Sequence, residues 1–206
     1  MNLQSGARVL FQGDSVTDAD RDRGDAASLG RGYPLLVAAH LAATRPELDL
    51  SFVNRGISGN RTRDLLARWD EDCLALKPTV LSILIGINNV WRRYDSADPT
   101  DPEVFRREYH QLLSRARDGG VEEIIMLEPF LLPVPEDRRQ WRVDLDPKIA
   151  VCRDLACEFA ALCVPLDGIF NAAATRTGPA YWAPDGVHPS VAGHGLIAES
   201  WLAVVE

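Results

Sequence analysis

The chain has 206 residues and a mass of 22.7 kDa, with 22 Lys+Arg against 30 Asp+Glu, a formal net charge of −8 and 46% hydrophobic residues. That length suits one large domain with its own core, so 1–206 is expected to fold as a single domain. The acidic balance excludes a protein that grips nucleic acid or an anionic membrane through clustered Lys and Arg, because the arginines are interleaved with acids, as between Asp18 and Asp25.

The chain opens on MNLQSGARV, which has no apolar run behind a basic segment, and nowhere reaches the roughly 18 consecutive apolar residues of a membrane span. The expectation is a cytosolic (cytoplasmic) protein with no secretory signal and no membrane contact. Arg8–Gly13 reads as the first strand, Tyr33–Thr44 as a helix closed by Pro46, Leu50–Asn54 as the second strand, and Thr62–Leu76 as a helix closed by Pro78. Thr79–Ile85 is the third strand, Asp101–Asp118 a helix ending at Gly119-Gly120, and Glu123–Leu127 the fourth strand. The Pro-rich Glu128–Asp137 reads as a surface loop over the sheet edge. Pro147–Ala161 has helical spacing, Cys163–Leu166 is the fifth strand, and a last helix starts near Pro189, whose fixed φ suits a first turn. Such alternation with right-handed crossovers predicts the α/β class, a three-layer α/β/α sandwich around a mostly parallel sheet, for which a flavodoxin-like parallel sheet of five strands in the order 2-1-3-4-5 is taken as the expectation. Cys73, Cys152, Cys157 and Cys163 form no CxxC pair and read as reduced core thiols.

In a doubly wound sheet the ligand site lies beyond the carboxyl ends of the strands. There the first three strands run into Gly13-Asp14-Ser15, Gly56-Ile57-Ser58-Gly59-Asn60 and Gly86-Ile87-Asn88-Asn89, and the chain beyond the fifth carries Asp185-Gly186-Val187-His188-Pro189. A hydroxyl, backbone amides beside glycine, a carboxamide, a carboxylate and an imidazole therefore converge. That is the inventory of acyl transfer from an ester. A serine hydroxyl is a weak nucleophile until a base takes its proton, and the base works best when a carboxylate fixes its tautomer. Ser15 is the candidate nucleophile, His188 the base and Asp185 its orienting carboxylate. The N–H groups of Ser15 and Gly59 and the side-chain amide of Asn88 are the candidate oxyanion donors.

The blocks GDSVTD at 13–18, GISGN at 56–60, GINN at 86–89 and DGVHPS at 185–190 together resemble the four motifs of the SGNH (GDSL) hydrolases, in order and across nearly the whole chain. The resemblance implies the SGNH hydrolase fold, the same Ser15, Asp185 and His188 as catalytic residues, the same three oxyanion donors, and no cofactor. The longer runs GISGNRTRDLLARW and GINNVWRRYD are similar to the carbohydrate deacetylase branch that includes acetylxylan esterases. That implies a serine esterase acting on acetyl or other short acyl esters of a small molecule or oligosaccharide, and association as a homo-oligomer. The third block departs from the family's usual GxND, since Asn89 replaces the Asp.

Trp91 and Trp182 are candidate aromatic walls for a sugar ring, and Arg92 a candidate substrate contact, with core packing or a subunit contact as the alternative for each. Asp14 reads as structural, bonding backbone around the nucleophile turn. His194 reads as a packing or hydrogen-bonding histidine, not as part of a metal site, and Leu29–Gly32 as a flexible rim. The rivals to a deacetylase are an esterase or lysophospholipase for lipid or aryl esters, which needs an apolar acyl channel, and a non-catalytic binding module in which Asn89 marks a decayed site.

Overall fold

The structure, a computed structural model, describes residues 3–205. Met1 and Asn2, which open the expected 1–206 domain and the leader reading, and Glu206 lie outside the described residues. Five parallel strands, β1 (Arg8–Gly13), β2 (Ser51–Asn54), β3 (Val80–Leu84), β4 (Glu123–Leu127) and β5 (Leu162–Val164), pair in the order β2-β1-β3-β4-β5. The expected order and parallel sense are those observed.

The sheet is covered on both faces, so its central strands are near-continuous apolar runs. Side-chain alternation sends Val9, Phe11 and Leu84 into one core with α2 (Tyr33–Thr44), α8 (Leu166–Thr177) and α10 (Val191–Leu202). Leu10, Leu81 and Ile83 enter the other, against α3 (Thr62–Ala67), α4 (Trp69–Asp72), α6 (Pro102–Asp118) and α7 (Arg142–Glu158). The buried hydroxyl of Ser82 in the central strand accepts a 3.0 Å bond from Trp201 Nε1. Three short helices complete the described set: α1 (Ser15–Asp18), α5 (Ile87–Asp95) and α9 (Pro179–Trp182). No described helix is long and apolar enough to cross a membrane.

Several sequence expectations are corrected. The helix expected over Thr62–Leu76 breaks at Arg68 into α3, α4 and a 3-10 turn, and the Arg68 guanidinium turns inward to Asn60 Oδ1 and Asp72 Oδ2, each at 2.8 Å. Helix α7 starts at Arg142, five residues before Pro147. Proline is tolerated there because the carbonyl deprived of its N–H partner belongs to Val143, which is 68% exposed. The fifth strand ends at Val164, and Leu166 opens α8, a helix the sequence pattern missed. The last helix begins at Val191 behind a Ser190 cap, whose Oγ accepts Gly193 N–H at 3.2 Å. Cys157 is exposed rather than a core thiol.

The Pro-rich segment is the largest correction. Phe130, Leu131 and Leu132 are buried, and Phe130 stacks on Phe170 at 4.0 Å. Glu128, Leu131 and Leu132 donate their N–H groups to Val164 O, Asp167 Oδ1 and Gly186 O. An apolar FLL run with its backbone so satisfied is core, and exposure begins only at Pro135.

Candidate active site

Strand β1 delivers the chain at Gly13 into the one-turn helix α1. Asp14 caps that turn, its Oδ1 accepting Val16 N–H at 3.1 Å, and so has the structural role expected of it. Asp14 is almost fully buried, and burial pushes its carboxyl up to about 7 against the opposing pull of the Val16 N–H and of His188.

Ser15, first in the turn, donates its hydroxyl to His188 Nε2 at 2.9 Å. His188 Nδ1–H in turn donates to Asp185 Oδ2 at 2.6 Å, while Asp185 Oδ1 accepts the backbone N–H of Val187 at 3.0 Å and of His188 at 2.7 Å. One carboxylate thus fixes both the ring and the turn that carries it. Burial acts to raise the Asp185 carboxyl, but these bonds overcome it and hold the group down at about 2. The bond from Asp185 raises the His188 imidazole above its ordinary value, against partial burial. Gly186 makes the turn possible. At φ +83° it lies so close to the Pro-rich segment that a Cβ would sit 2.4 Å from Leu132 O and 2.5 Å from Val134 O.

The second loop is stapled to the first. Asn54 Nδ2 donates to Thr17 O and Leu29 O, Asn54 Oδ1 accepts Gly56 N–H, and Asp18 Oδ2 accepts Ser58 N–H at 3.0 Å. These bonds set Gly59 beside the nucleophile turn, and neither Ser15 N–H nor Gly59 N–H has an acceptor among the described residues. A Cβ at Gly59 would meet nothing within 4 Å, so it is the left-handed φ of +84°, rather than lack of space, that calls for glycine there. Asn88, in the first turn of α5, donates Nδ2–H to Asn60 O at 3.1 Å, and its Oδ1 accepts from Arg92 at 3.4 Å. Its amide nitrogen therefore faces the second loop, with one proton left over.

Asn89 is buried and fully bonded. Its Oδ1 accepts Thr62 N–H, and its Nδ2 donates to the hydroxyls of Thr62 at 3.0 Å and Thr100 at 3.3 Å. Thr62 donates its own hydroxyl proton to Glu108, so towards residue 89 it can only accept. An amide suits that partner and a carboxylate does not. Asn89→Asp is expected to lower stability by about 2–3 kcal/mol by leaving a buried acceptor facing lone pairs. Urea denaturation of both proteins measures this, and an unchanged midpoint would refute the assignment.

A cavity of about 690 Å3 opens at Ser15 and His188 and runs past Asp18, Arg21, Arg31 and His194. His194 Nδ1 accepts Tyr33 N–H at 3.3 Å, and burial, with the nearby His188, lowers its imidazole to about 4. Trp91 packs 5.8 Å from the His188 ring and 5.3 Å from Trp141, with the Arg138 guanidinium over both indoles. Neither it nor Trp182 or Arg92 is part of this cavity's lining. Trp182 packs on the core beneath α10, its carbonyl accepting Ser190 N–H, and Arg92 is engaged by Asp95 and Asn88. The lining arginines escaped sequence reasoning because an Asp/Arg-rich run normally marks a solvated turn.

An open parallel sheet with a serine on its first loop, bonded to a histidine that is in turn bonded to an aspartate, both from the far end of the chain, has the architecture of an α/β hydrolytic enzyme. Residues 11–196 match the model of the GDSL-like lipase/acylhydrolase family. The chain belongs to that family and is a carboxylic ester hydrolase. It is 41% identical to an acetylxylan esterase of Geobacillus stearothermophilus, over 98% of this chain and 95% of that one. The solved structure of Axe2, an acetylxylan esterase of the same species, superposes with a TM-score of 0.89 at 38% identity, covering 98% of this chain and 95% of Axe2. LAE5, an α/β hydrolase from the metagenome of Lake Arreo, superposes with a TM-score of 0.90 at 37% identity, covering 97% and 95%. The family resemblance carried by the four sequence blocks is thereby borne out.

Proposed function

We infer that this esterase removes acetyl groups from a carbohydrate ester, with Ser15 as nucleophile. The observation that carries the reading is the unbroken bond chain from Ser15 Oγ to His188 to Asp185, at 2.9 and 2.6 Å, opening on a cavity of about 690 Å3. With Nδ1–H committed to Asp185, the His188 Nε2 lone pair takes the Ser15 proton as Oγ attacks the acetyl carbonyl. The oxyanion is received by Ser15 N–H, Gly59 N–H and Asn88 Nδ2–H. His188 then returns its proton to the departing sugar oxygen. Water, activated by the same imidazole, attacks the acetyl-enzyme carbonyl, releasing acetate and restoring Ser15.

The side chains beside Ser15 support a polar alcohol portion. The large cavity presents arginine, aspartate and histidine side chains, which suit the hydroxyls of a sugar, beside Ala19, Pro189 and Val191, which suit a ring face. The homology to an acetylxylan esterase points the same way.

The test compares initial rates on acetylated xylo-oligosaccharides and on p-nitrophenyl acetate, butyrate and octanoate. The expected result is turnover of the sugar ester and a kcat/KM that falls about tenfold or more from acetate to octanoate, the loss of at least 1.4 kcal/mol of transition-state binding. A rate that rises with acyl length would move the function to a lipid or aryl esterase.

A further inference from the structure

An acetyl group is small, so most of the 690 Å3 beside Ser15 must receive the alcohol side of the ester. In a chain of net charge −8, that space is bordered by three guanidinium groups, Arg21, Arg23 and Arg31, against the carboxylates of Asp18 and Asp20. Their commitments differ. Asp18 is spent inward, accepting from Ser58 N–H and from Arg23 at 2.6 Å. Arg21 is nearly buried and gives its Nε–H to Gly56 O at 2.9 Å, and no described carboxylate forms an ion pair with it. The Arg31 side chain has no hydrogen bond or ion pair among the described residues.

The segment that carries Arg31 is held in place. Arg31 N–H donates to Ala19 O at 2.7 Å, Leu29 O accepts from Asn54, and the intervening turn is closed by Asp22 N–H to Ser28 Oγ and Ala27 N–H to Asp25 Oδ1. Arg31 is exposed, and its unpaired guanidinium stands on a backbone fixed to the nucleophile turn, available to an anion that enters the cavity. Its planar fork matches a carboxylate through two parallel hydrogen bonds, whereas sugar hydroxyls require no net charge.

We propose that the preferred substrate is an acetylated oligosaccharide bearing a carboxylate on its sugar portion, such as a uronic acid unit, with that carboxylate received by Arg31 beside Arg21 and Arg23. Arg31 is then a specificity-determining residue for the alcohol half of the ester. This rests on the deacetylase reading above and adds the charge of the substrate to it.

The test measures kcat/KM on two acetylated xylo-oligosaccharides of equal length, one neutral and one carrying a single glucuronic acid, for wild type, Arg31→Gln, Arg31→Lys and Arg107→Gln. Arg107, exposed on α6 away from the cavity, controls for loss of one positive charge. Wild type and Arg107→Gln are expected to favour the acidic substrate by about tenfold, chiefly through KM, and the preference should shrink as salt is raised. In Arg31→Gln the ratio should approach one, and Arg31→Lys should recover part of it, a charge without the fork. Equal kcat/KM on the two sugars in wild type, or a preference that survives in Arg31→Gln, would overturn the proposal while deacetylation of the neutral sugar left the function standing. Failure on both sugars alongside hydrolysis of longer acyl esters would overturn both.

Discussion

Replacing Ser15 by alanine is expected to lower kcat for acetyl ester hydrolysis by about 10⁴-fold or more, with KM and melting temperature little changed. The Oγ atom makes one hydrogen bond among the described residues, to His188, and the residue borders the cavity, so its loss removes the attacking atom and about 1 kcal/mol of bonding. The imidazole, the oxyanion donors and the cavity remain, which is why a small residual rate should persist. Initial rates on p-nitrophenyl acetate together with a thermal melt measure both quantities. Full activity in the variant would remove Ser15 from the chemistry. A large drop in melting temperature would make it a structural residue instead.

The Asp185→Asn variant is expected to lose about 10⁴-fold in kcat for a different reason. If the new amide donates to His188 Nδ1, the ring proton is driven to Nε2, which then faces the Ser15 hydroxyl as a donor and cannot take its proton. The pH profile should move as well. Asp185 now raises the His188 imidazole above its ordinary 6.5 or so, and the base works only when neutral, so wild-type activity climbs with pH through a value above that one. Without the carboxylate the charged imidazole loses its main support while its burial remains, so the acid limb should shift to lower pH. Asp14, which burial pushes up to about 7, also acts on His188 but is unchanged in Asp185→Asn, so the difference between the two profiles reports Asp185. A limb unmoved in Asp185→Asn would show that the 2.6 Å bond does not set the protonation of His188.

Much of the candidate site was legible because its parts are local. Gly13-Asp14-Ser15 needs one tight turn, Asp185 and His188 need another, and each is written in consecutive residues. Alternation and handedness give the parallel three-layer architecture, and the observed order β2-β1-β3-β4-β5 sets Ser15 against His188 across 173 residues of chain. A residue's role is not written locally where it depends on a partner that the motif does not contain. Asn89 looked like a possible sign of decay until Glu108, on another helix, was seen to take the Thr62 proton and so to require an amide opposite. Trp182 lies three residues before Asp185 and resembled a sugar platform, yet packing against the core sends it beneath α10. The FLL run at 130–132 was masked by its prolines.

Composition, period and turn chemistry thus specified the α/β alternation and the candidate serine, histidine and aspartate, because these obey short-range rules of backbone geometry and of charge beside charge. The wall of the cavity was settled by the folded chain. Arg21, Arg23 and Arg31 lie in an Asp/Arg-rich stretch like any solvated turn, and Asn54 and Asp18 bring that stretch against the nucleophile through side chains whose partners lie 25 to 40 residues away. A one-dimensional pattern carries no record of which polar groups pair with one another and which are left facing a ligand.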